Sequence, residues 1–437
     1  MGLYLPDGRY RPHGRGGDVS TTTEPAPSGL RAYVAVTAAY WAFMLSDGAL
    51  RMLVLLHFNA LGFSPVQLAW LFLLYEVAGI VTNLSAGWIA ARFGLTVTLY
   101  AGLAIQILAL AALAQLDPGW TVAASVVFVM AVQGASGVAK DLAKMASKSA
   151  VKVLAPKGDG GLFRWVALLT GSKNAVKGAG FFLGAALLGL AGFVPAIWAM
   201  AAVLLTILIA VALFMPAGLP AGRKDAKFSQ VWSTDGRINR LSLARMFLFG
   251  ARDVWFVVGI PIYFQSVLSD GTPEGARAAF FLIGSFMAVW IIAYGAVQAF
   301  APRILRAATK PEAQIVGQAI LWAGLLVPIP LVLAGLAYLA GAPADWLTLT
   351  LVAGLLVFGF VFAINSAVHS YLILAFSSDV RVTMDVGFYY MSNAAGRLLG
   401  TLLSGLSYQI GGIPLCLGTA GVMAAASWWA VRRLRAV

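Results

Sequence analysis

Five basic side chains stand in stretches otherwise too apolar to carry charge: Arg51, Lys173, Lys177, Arg252 and Arg397. Arginine forks and lysine point charges are the usual partners of phosphate-like oxyanions, so such a set could bind an anion. Spacing says where two of them point. Lys173, Lys177, Gly180 and Gly184 fall at i, i+4, i+7 and i+11, one stripe of a helix, and the glycines let another helix come close. At a rise of about 1.5 Å per residue from Leu162, Lys173 lies ~16 Å along, near the middle of a ~30 Å hydrocarbon core. A lysine facing lipid there costs at least ~2.5–3.5 kcal/mol, so the stripe should face protein. The stripe returns 220 residues later as Asn393, Arg397, Gly400 and Ser404, with Ser172 and Ala175 landing on Ser392 and Ala395. A second echo, offset by 206, carries Phe43, Asp47 and Phe58 onto Phe249, Asp253 and Phe264. Two halves that repeat in this order suggest duplicated bundles with a site between them.

Other groups share these stretches. Asp47 and Arg51 are at i, i+4 with the acid first, the favourable order for a pair, which is either a structural ion pair or a substrate or gating element. Glu76 either takes a proton or pairs with a cation. Lys140, Lys144, Lys148 and Lys152 follow one another at four-residue steps; the last two read as loop cations at a helix end, the first two as an inner vestibule. Arg245 and Arg252 share a helix face, Arg245 near the membrane interface and Arg252 deeper, while Asp253, beside Arg252, points elsewhere. Asn365 and His369 are one turn apart; the histidine either titrates near neutral pH or is a hydrogen-bonded structural group. Asp385, Tyr389, Tyr390 and Asn393 lead up to Arg397. Counted over Asp47, Glu76 and Asp253 against the five bases, the interior keeps an excess of positive charge, which anions must fill or lysines relieve by losing protons. That points to a transporter for a small, multiply charged anion.

The elements that hold these residues follow from composition. With 60% hydrophobic and 11% charged residues, 437 residues do not make a soluble domain. About twelve apolar spans are expected: 32–58, 66–90, 97–115, 121–143, 162–185, 193–215, 241–265, 278–300, 314–340, 347–374, 384–408 and 412–431. Turn chemistry such as Asp117-Pro118-Gly119 and Gly411-Gly412 separates them. The expected organisation is a disordered cytoplasmic tail over 1–30, a six-helix bundle over 31–215, a cytoplasmic linker over 216–240 and a second six-helix bundle over 241–437. Bases gather in the even-numbered loops: Arg92; Lys148, Lys152 and Lys157; Arg223, Lys224, Lys227, Arg237 and Arg240; Arg303, Arg306 and Lys310; Arg381. This distribution places both termini in the cytoplasm and accounts for most of the net charge of +13 without a nucleic-acid partner. Cys416 is the single cysteine, which excludes an internal disulfide and a cysteine-based metal cluster. No cofactor motif, phosphate loop or nucleophile–base pair stands out, so an enzyme is not expected.

Six plus six spans with a central loop resemble the major facilitator superfamily, an all-α membrane fold. Its loop motif survives only as Gly87-Trp-Ile-Ala-Ala91-Arg92-Phe-Gly94, with Ala91 where the usual acid stands and Thr96 where a later base stands. Several stretches resemble the ArsJ organoarsenical efflux permease family more specifically. They are Tyr40-Trp-Ala-Phe-Met-Leu-Ser-Asp-Gly-Ala-Leu-Arg-Met-Leu53, Leu169-Thr-Gly-Ser-Lys-Asn-Ala-Val-Lys-Gly178, Phe249-Gly-Ala-Arg-Asp-Val-Trp-Phe256, Ala363-Ile-Asn-Ser-Ala-Val-His-Ser-Tyr-Leu372 and Asp385-Val-Gly-Phe-Tyr-Tyr-Met-Ser-Asn-Ala-Ala-Gly-Arg397.

What this resemblance implies is export of 1-arseno-3-phosphoglycerate from the bacterial inner membrane, conferring arsenate resistance. Glyceraldehyde-3-phosphate dehydrogenase, a functional link rather than a bound partner, makes the ester from arsenate. A substrate with an anionic group at each end suits two cationic lobes, Lys173 and Lys177 in one half and Arg252 and Arg397 in the other, with Arg51, Asn393, His369, Asn365 and Tyr389 as further contacts. Asp47, Glu76 and Asp253 are the candidates for coupling or gating. The protein is expected to be a monomer in lipid. An organophosphate/phosphate exchanger and a non-transporting anion receptor are the alternative readings.

Overall fold

The computed structural model describes residues 27–154, 161–215, 233–305, 311–377 and 382–436, and among them every element is helical. The first span is Pro27–Ala60. The second is interrupted at Phe72, Pro65–Leu71 then Leu73–Phe93, and opens on a capping box in which Ser64 and Gln67 satisfy each other's backbone N–H. Leu95–Leu113, Val122–Leu154, Gly161–Ala191 and Phe193–Phe214 complete the first six. The seventh runs through Gly236–Val254, a π-helical turn Trp255–Gly259, and Ile260–Leu268. Pro273–Leu305 is the eighth, Glu312–Leu326 with Pro328–Ala340 the ninth, and Asp345–Phe376 the tenth. Val382–Arg432 contains the eleventh and twelfth, parted where Gly411 and Gly412 leave helical geometry, Gly412 at φ +61°.

Several helices run a few residues beyond the expected spans, and two of these extensions bear on the site. The fourth span continues to Leu154, which puts Lys144 as well as Lys140 well inside a helix. The seventh begins at Gly236, capped by the Asp235 carboxylate, so part of the expected linker over 216–240 is helix. The tail over 1–26 and the bases Lys157, Arg223, Lys224, Lys227, Arg306, Lys310 and Arg381 lie outside the described residues.

Eleven of the described helices, the last holding two spans, are long and apolar enough to cross a membrane. Large apolar side chains such as Leu213, Phe214 and Leu339 stand exposed on them, as a lipid-facing surface requires. The first span packs on the fifth and the seventh on the eleventh, while the second meets the eleventh and the fifth meets the eighth. Adding six to each number maps every one of these pairings onto another, the internal two-fold relation that the two sequence echoes imply.

The glycine stripes explain the tightest of these contacts. A Cβ on Gly180 or Gly184 would overlap the carbonyl oxygens of Leu45 or Ala49 in the first span. In the other half a Cβ on Gly396 would overlap the Met246 carbonyl, and one on Gly400 would lie 2.7 Å from the Gly250 oxygen. Close backbone approach at small residues is how helices associate where lipid supplies no hydrophobic drive.

Candidate functional site

The glycine contacts bring the first span's acid against the fifth span's base. Lys177 Nζ lies 2.9 Å from Asp47 Oδ2, and Tyr75 of the second span donates to Asp47 Oδ1 at 2.5 Å. The counterpart pair stands in the other half: Arg397 Nε is 3.6 Å from Asp253 Oδ2. The offsets of 206 and 220 carry Asp47 onto Asp253 and Lys177 onto Arg397, so one acid–base pair has been laid down twice.

A bridge between the halves ties the second pair to the first half. Glu76 of the second span, fully buried, accepts from Arg51 Nη1 at 3.2 Å and from Arg397 Nη2 at 2.6 Å. Arg252 Nη2 in turn sits 2.5 Å from Asp253 Oδ1. Expected neighbours thus exchange partners. Asp47 and Arg51 do not pair with each other, because the fifth span delivers Lys177 to the acid while the second delivers Glu76 to the base. Arg252 and Asp253 do pair although adjacent in sequence, Asp253 also meeting Arg397 of the eleventh span.

Lys140 and Lys144 close on Asp141, which is fully buried. Lys144 Nζ lies 2.6 Å from Asp141 Oδ1 and 2.5 Å from Asn83 Oδ1; Lys140 Nζ lies 4.0 Å from the same carboxylate and 4.1 Å above the Tyr75 ring. Lys140 is buried there and Lys144 partly exposed. Asp141 was absent from the deep acids read in the sequence, hidden in a run that reads as lysines at helical spacing. Lys173, one turn from Lys177, is half-buried.

The second half holds another polar group. Arg245, expected near the membrane interface, is buried among protein side chains. Its Nη1 donates to Ser366 O and Oγ, both at 3.0 Å, and its Nε to Asn393 Oδ1 at 3.1 Å. Gln298 of the eighth span also reaches Ser366 Oγ (3.2 Å) and accepts from Asn174 of the fifth at 3.3 Å, continuing the chain into the first half. Asn365 donates to the Val361 carbonyl at 3.2 Å. His369, fully buried, has no hydrogen-bond partner at either ring nitrogen among the described residues. The Tyr389 hydroxyl, equally buried, makes no hydrogen bond of standard geometry either.

Against solved structures the chain is similar over nearly its whole length to several transporters. A nucleoside transporter, NupG, aligns with TM-score 0.65 at 16% identity, covering 93% of this chain and 99% of that one. A POT family transporter in complex with a thioalcohol-conjugated peptide gives TM-score 0.72 at 13% identity, covering 92% and 95%. A bacterial homologue of the iron transporter ferroportin in an inward-facing state gives 0.66 at 10%, covering 93% and 99%.

The chain has the major facilitator fold.

No protein-family model and no curated protein matches it in sequence. In this fold the two six-helix halves are parallel repeats, and sites lie near the bilayer midplane where the halves meet. Glu76 and Arg397 meet across the two halves here, with Asp253 on the other side of Arg397. The halves touch toward one end through Val66 N and Gln409 Oε1 (3.3 Å) and toward the other through Asn174 and Gln298. Between them, Arg51, Met52, Leu55, Phe181, Phe256, Val257 and Met287 line a cavity of about 10 Å³. That is room for about one water, so an organic anion fits this cavity only if the residues lining it move apart.

Proposed function

We propose that this protein moves a small, multiply charged organic anion across a membrane by alternating access, and that the anion is 1-arseno-3-phosphoglycerate, exported to give arsenate resistance. The observation that carries the transport reading is Arg397 held 2.6 Å from Glu76 of the opposite half, with a second carboxylate, Asp253, on its other side. A phosphate or arsenate group has the charge and oxygen geometry to take a carboxylate's place on a guanidinium. When the anion displaces Glu76 from Arg397, the ion pair between the halves is lost and they are free to part. Lys177 on Asp47 offers the same exchange in the first half. The two lobes of the sequence reading thereby become two carboxylate-guarded cations rather than two free ones.

The identity of the substrate rests on the resemblance to the ArsJ family, whose five stretches contain Asp47, Arg51, Lys173, Lys177, Arg252, Asp253, His369 and Arg397. Placed in a bacterial inner membrane with cytoplasmic termini, as the loop charges favour, export of an anion gains ~2.3 kcal/mol per charge per 100 mV of inside-negative potential. No coupling ion is then needed.

The test is arsenate tolerance of an arsenate-sensitive bacterium carrying the permease with and without extra glyceraldehyde-3-phosphate dehydrogenase. Tolerance that requires both proteins supports export of the arsenylated ester. Lys177→Gln and Arg397→Gln, each confirmed in the membrane, should abolish it; full tolerance in both variants overturns the site. Uptake of glycerol phosphates or phosphate without an arsenate phenotype would replace export by organophosphate exchange.

A further inference from the structure

Most of the deep cations in this chain have a carboxylate to answer them. Arg245 does not: among the described residues no Asp or Glu oxygen lies within 4.0 Å of its guanidinium, and its hydrogen bonds go only to Ser366 and Asn393. A buried guanidinium with neutral partners keeps its whole charge in a low-dielectric setting, which is costly unless an anion joins it. Its faces are occupied by Phe249 at 4.1 Å and Tyr389 at 5.0 Å, which hold the plane fixed.

Two fully buried groups near this cation make no hydrogen bond of standard geometry. His369 has two open ring nitrogens, sits one helical turn from Ser366 and lies in the field of Arg245; the Tyr389 hydroxyl, whose ring stacks over the guanidinium, interacts only loosely with Ser370. Polar groups left unmatched beside a cation that has no carboxylate of its own suit an anion that would take up both. The set belongs to the seventh, tenth and eleventh spans. It reaches the interface between the halves through Asn393, next to Ala394, which faces Gly79, and through Gln298, which bonds Asn174.

We infer that Arg245, with His369, Tyr389 and Asn393 around it, is an anion subsite in the second half that takes one oxyanion group of the transported solute. This rests on the transport reading above and deepens it. The solute's other end is left to Lys177 and Arg397, so the substrate class is a small molecule with two separated anionic groups, one of them phosphate-like. Arg245 supplies the charge, while the Tyr389 O–H and a protonated nitrogen of His369 supply donors; Asn393 must turn its amide to donate as well.

The experiment is equilibrium binding of radiolabelled 3-phosphoglycerate and, separately, of inorganic phosphate to the purified full-length protein. Variants are Arg245→Gln, Arg245→Lys, His369→Gln and Lys177→Gln, each checked for a single symmetric peak in size exclusion. Arg245→Gln is expected to weaken both ligands at least tenfold, Arg245→Lys less, and His369→Gln several-fold. Lys177→Gln should weaken 3-phosphoglycerate but leave inorganic phosphate within about twofold. If Arg245→Gln does not fold, the lysine and His369→Gln variants carry the test. Wild-type affinity in those variants, alongside a loss in Lys177→Gln, overturns the subsite and leaves the transport reading standing. A wild-type protein that binds neither anion overturns both.

Discussion

Lys177 and Asp47 are each other's reason for being buried. Removing the lysine leaves a carboxylate with Tyr75 as its only hydrogen-bond donor among the described residues, and an uncompensated buried charge costs about 3–5 kcal/mol. Lys177→Met should therefore lower the thermal midpoint of the purified protein by several degrees, measured by temperature-dependent size exclusion. The double variant Asp47→Asn with Lys177→Met should recover most of the loss, because the charge it strands is gone. A double variant no more stable than the single would mean the pair contributes nothing. The sequence identified both residues as deep, since a charge in an apolar run is visible without a structure. It paired Asp47 with Arg51 instead, because spacing along one helix reports only the neighbours on that helix. Asp141 was lost for a related reason: in Lys140-Asp-Leu-Ala-Lys144 the lysines mark the face, and nothing local says that the acid turns inward to Thr82, Asn83 and Lys144.

At the scale of elements, periodicity and turn chemistry were enough for the spans, and the glycine stripes showed where a second helix comes close but not which helix it is. Gly184 and Gly396 make a sharp prediction. Alanine at either would drive its Cβ into backbone, the Ala49 carbonyl or the Met246 carbonyl, which cannot yield as a side-chain tip can. Gly184→Ala and Gly396→Ala should each lower stability and expression. Gly335→Ala is the matched control: its Cβ would meet nothing within 4 Å, and alanine should gain up to ~1 kcal/mol over glycine in a helix. Equal thermal midpoints for all three would contradict the close packing. The π-turn in the seventh span could not be read beforehand, although its cause is in the sequence. Pro261 has no N–H, and the strand of hydrogen bonds resets so that Ile260 N reaches Trp255 O. The freed groups find partners far away in sequence: Ser404 Oγ accepts from Val258 and Gly259, and Cys416 Sγ donates to the Val254 carbonyl. Ser404, read only as the last member of a stripe, is the residue that makes the irregular turn tolerable.

For the molecule as a whole, the question is whether the two halves move apart, since a cavity of about 10 Å³ admits no organic anion. Gly79 of the second span and Ala394 of the eleventh face each other across the interface, with the ideal Cβ position of Gly79 3.6 Å from Ala394 Cβ. That separation suits a disulfide, whose Cβ atoms sit about 3.5–4.5 Å apart. The native Cys416 is buried and hydrogen-bonded, so it should not compete for the new thiols. Gly79→Cys with Ala394→Cys should cross-link spontaneously or under mild oxidant, and the oxidised protein should neither confer arsenate tolerance nor carry substrate in vesicles. Reductant should restore both, and each single variant should work throughout. The ion pairs nearby predict one more feature of this pair. Because Arg397 on Glu76 draws the second and eleventh spans together, Glu76→Gln should slow cross-linking, as the halves spend less time closed. Transport undiminished by the cross-link would mean that this part of the interface stays shut through the cycle, and the exchange of carboxylate for substrate at Arg397 would then have no motion to drive.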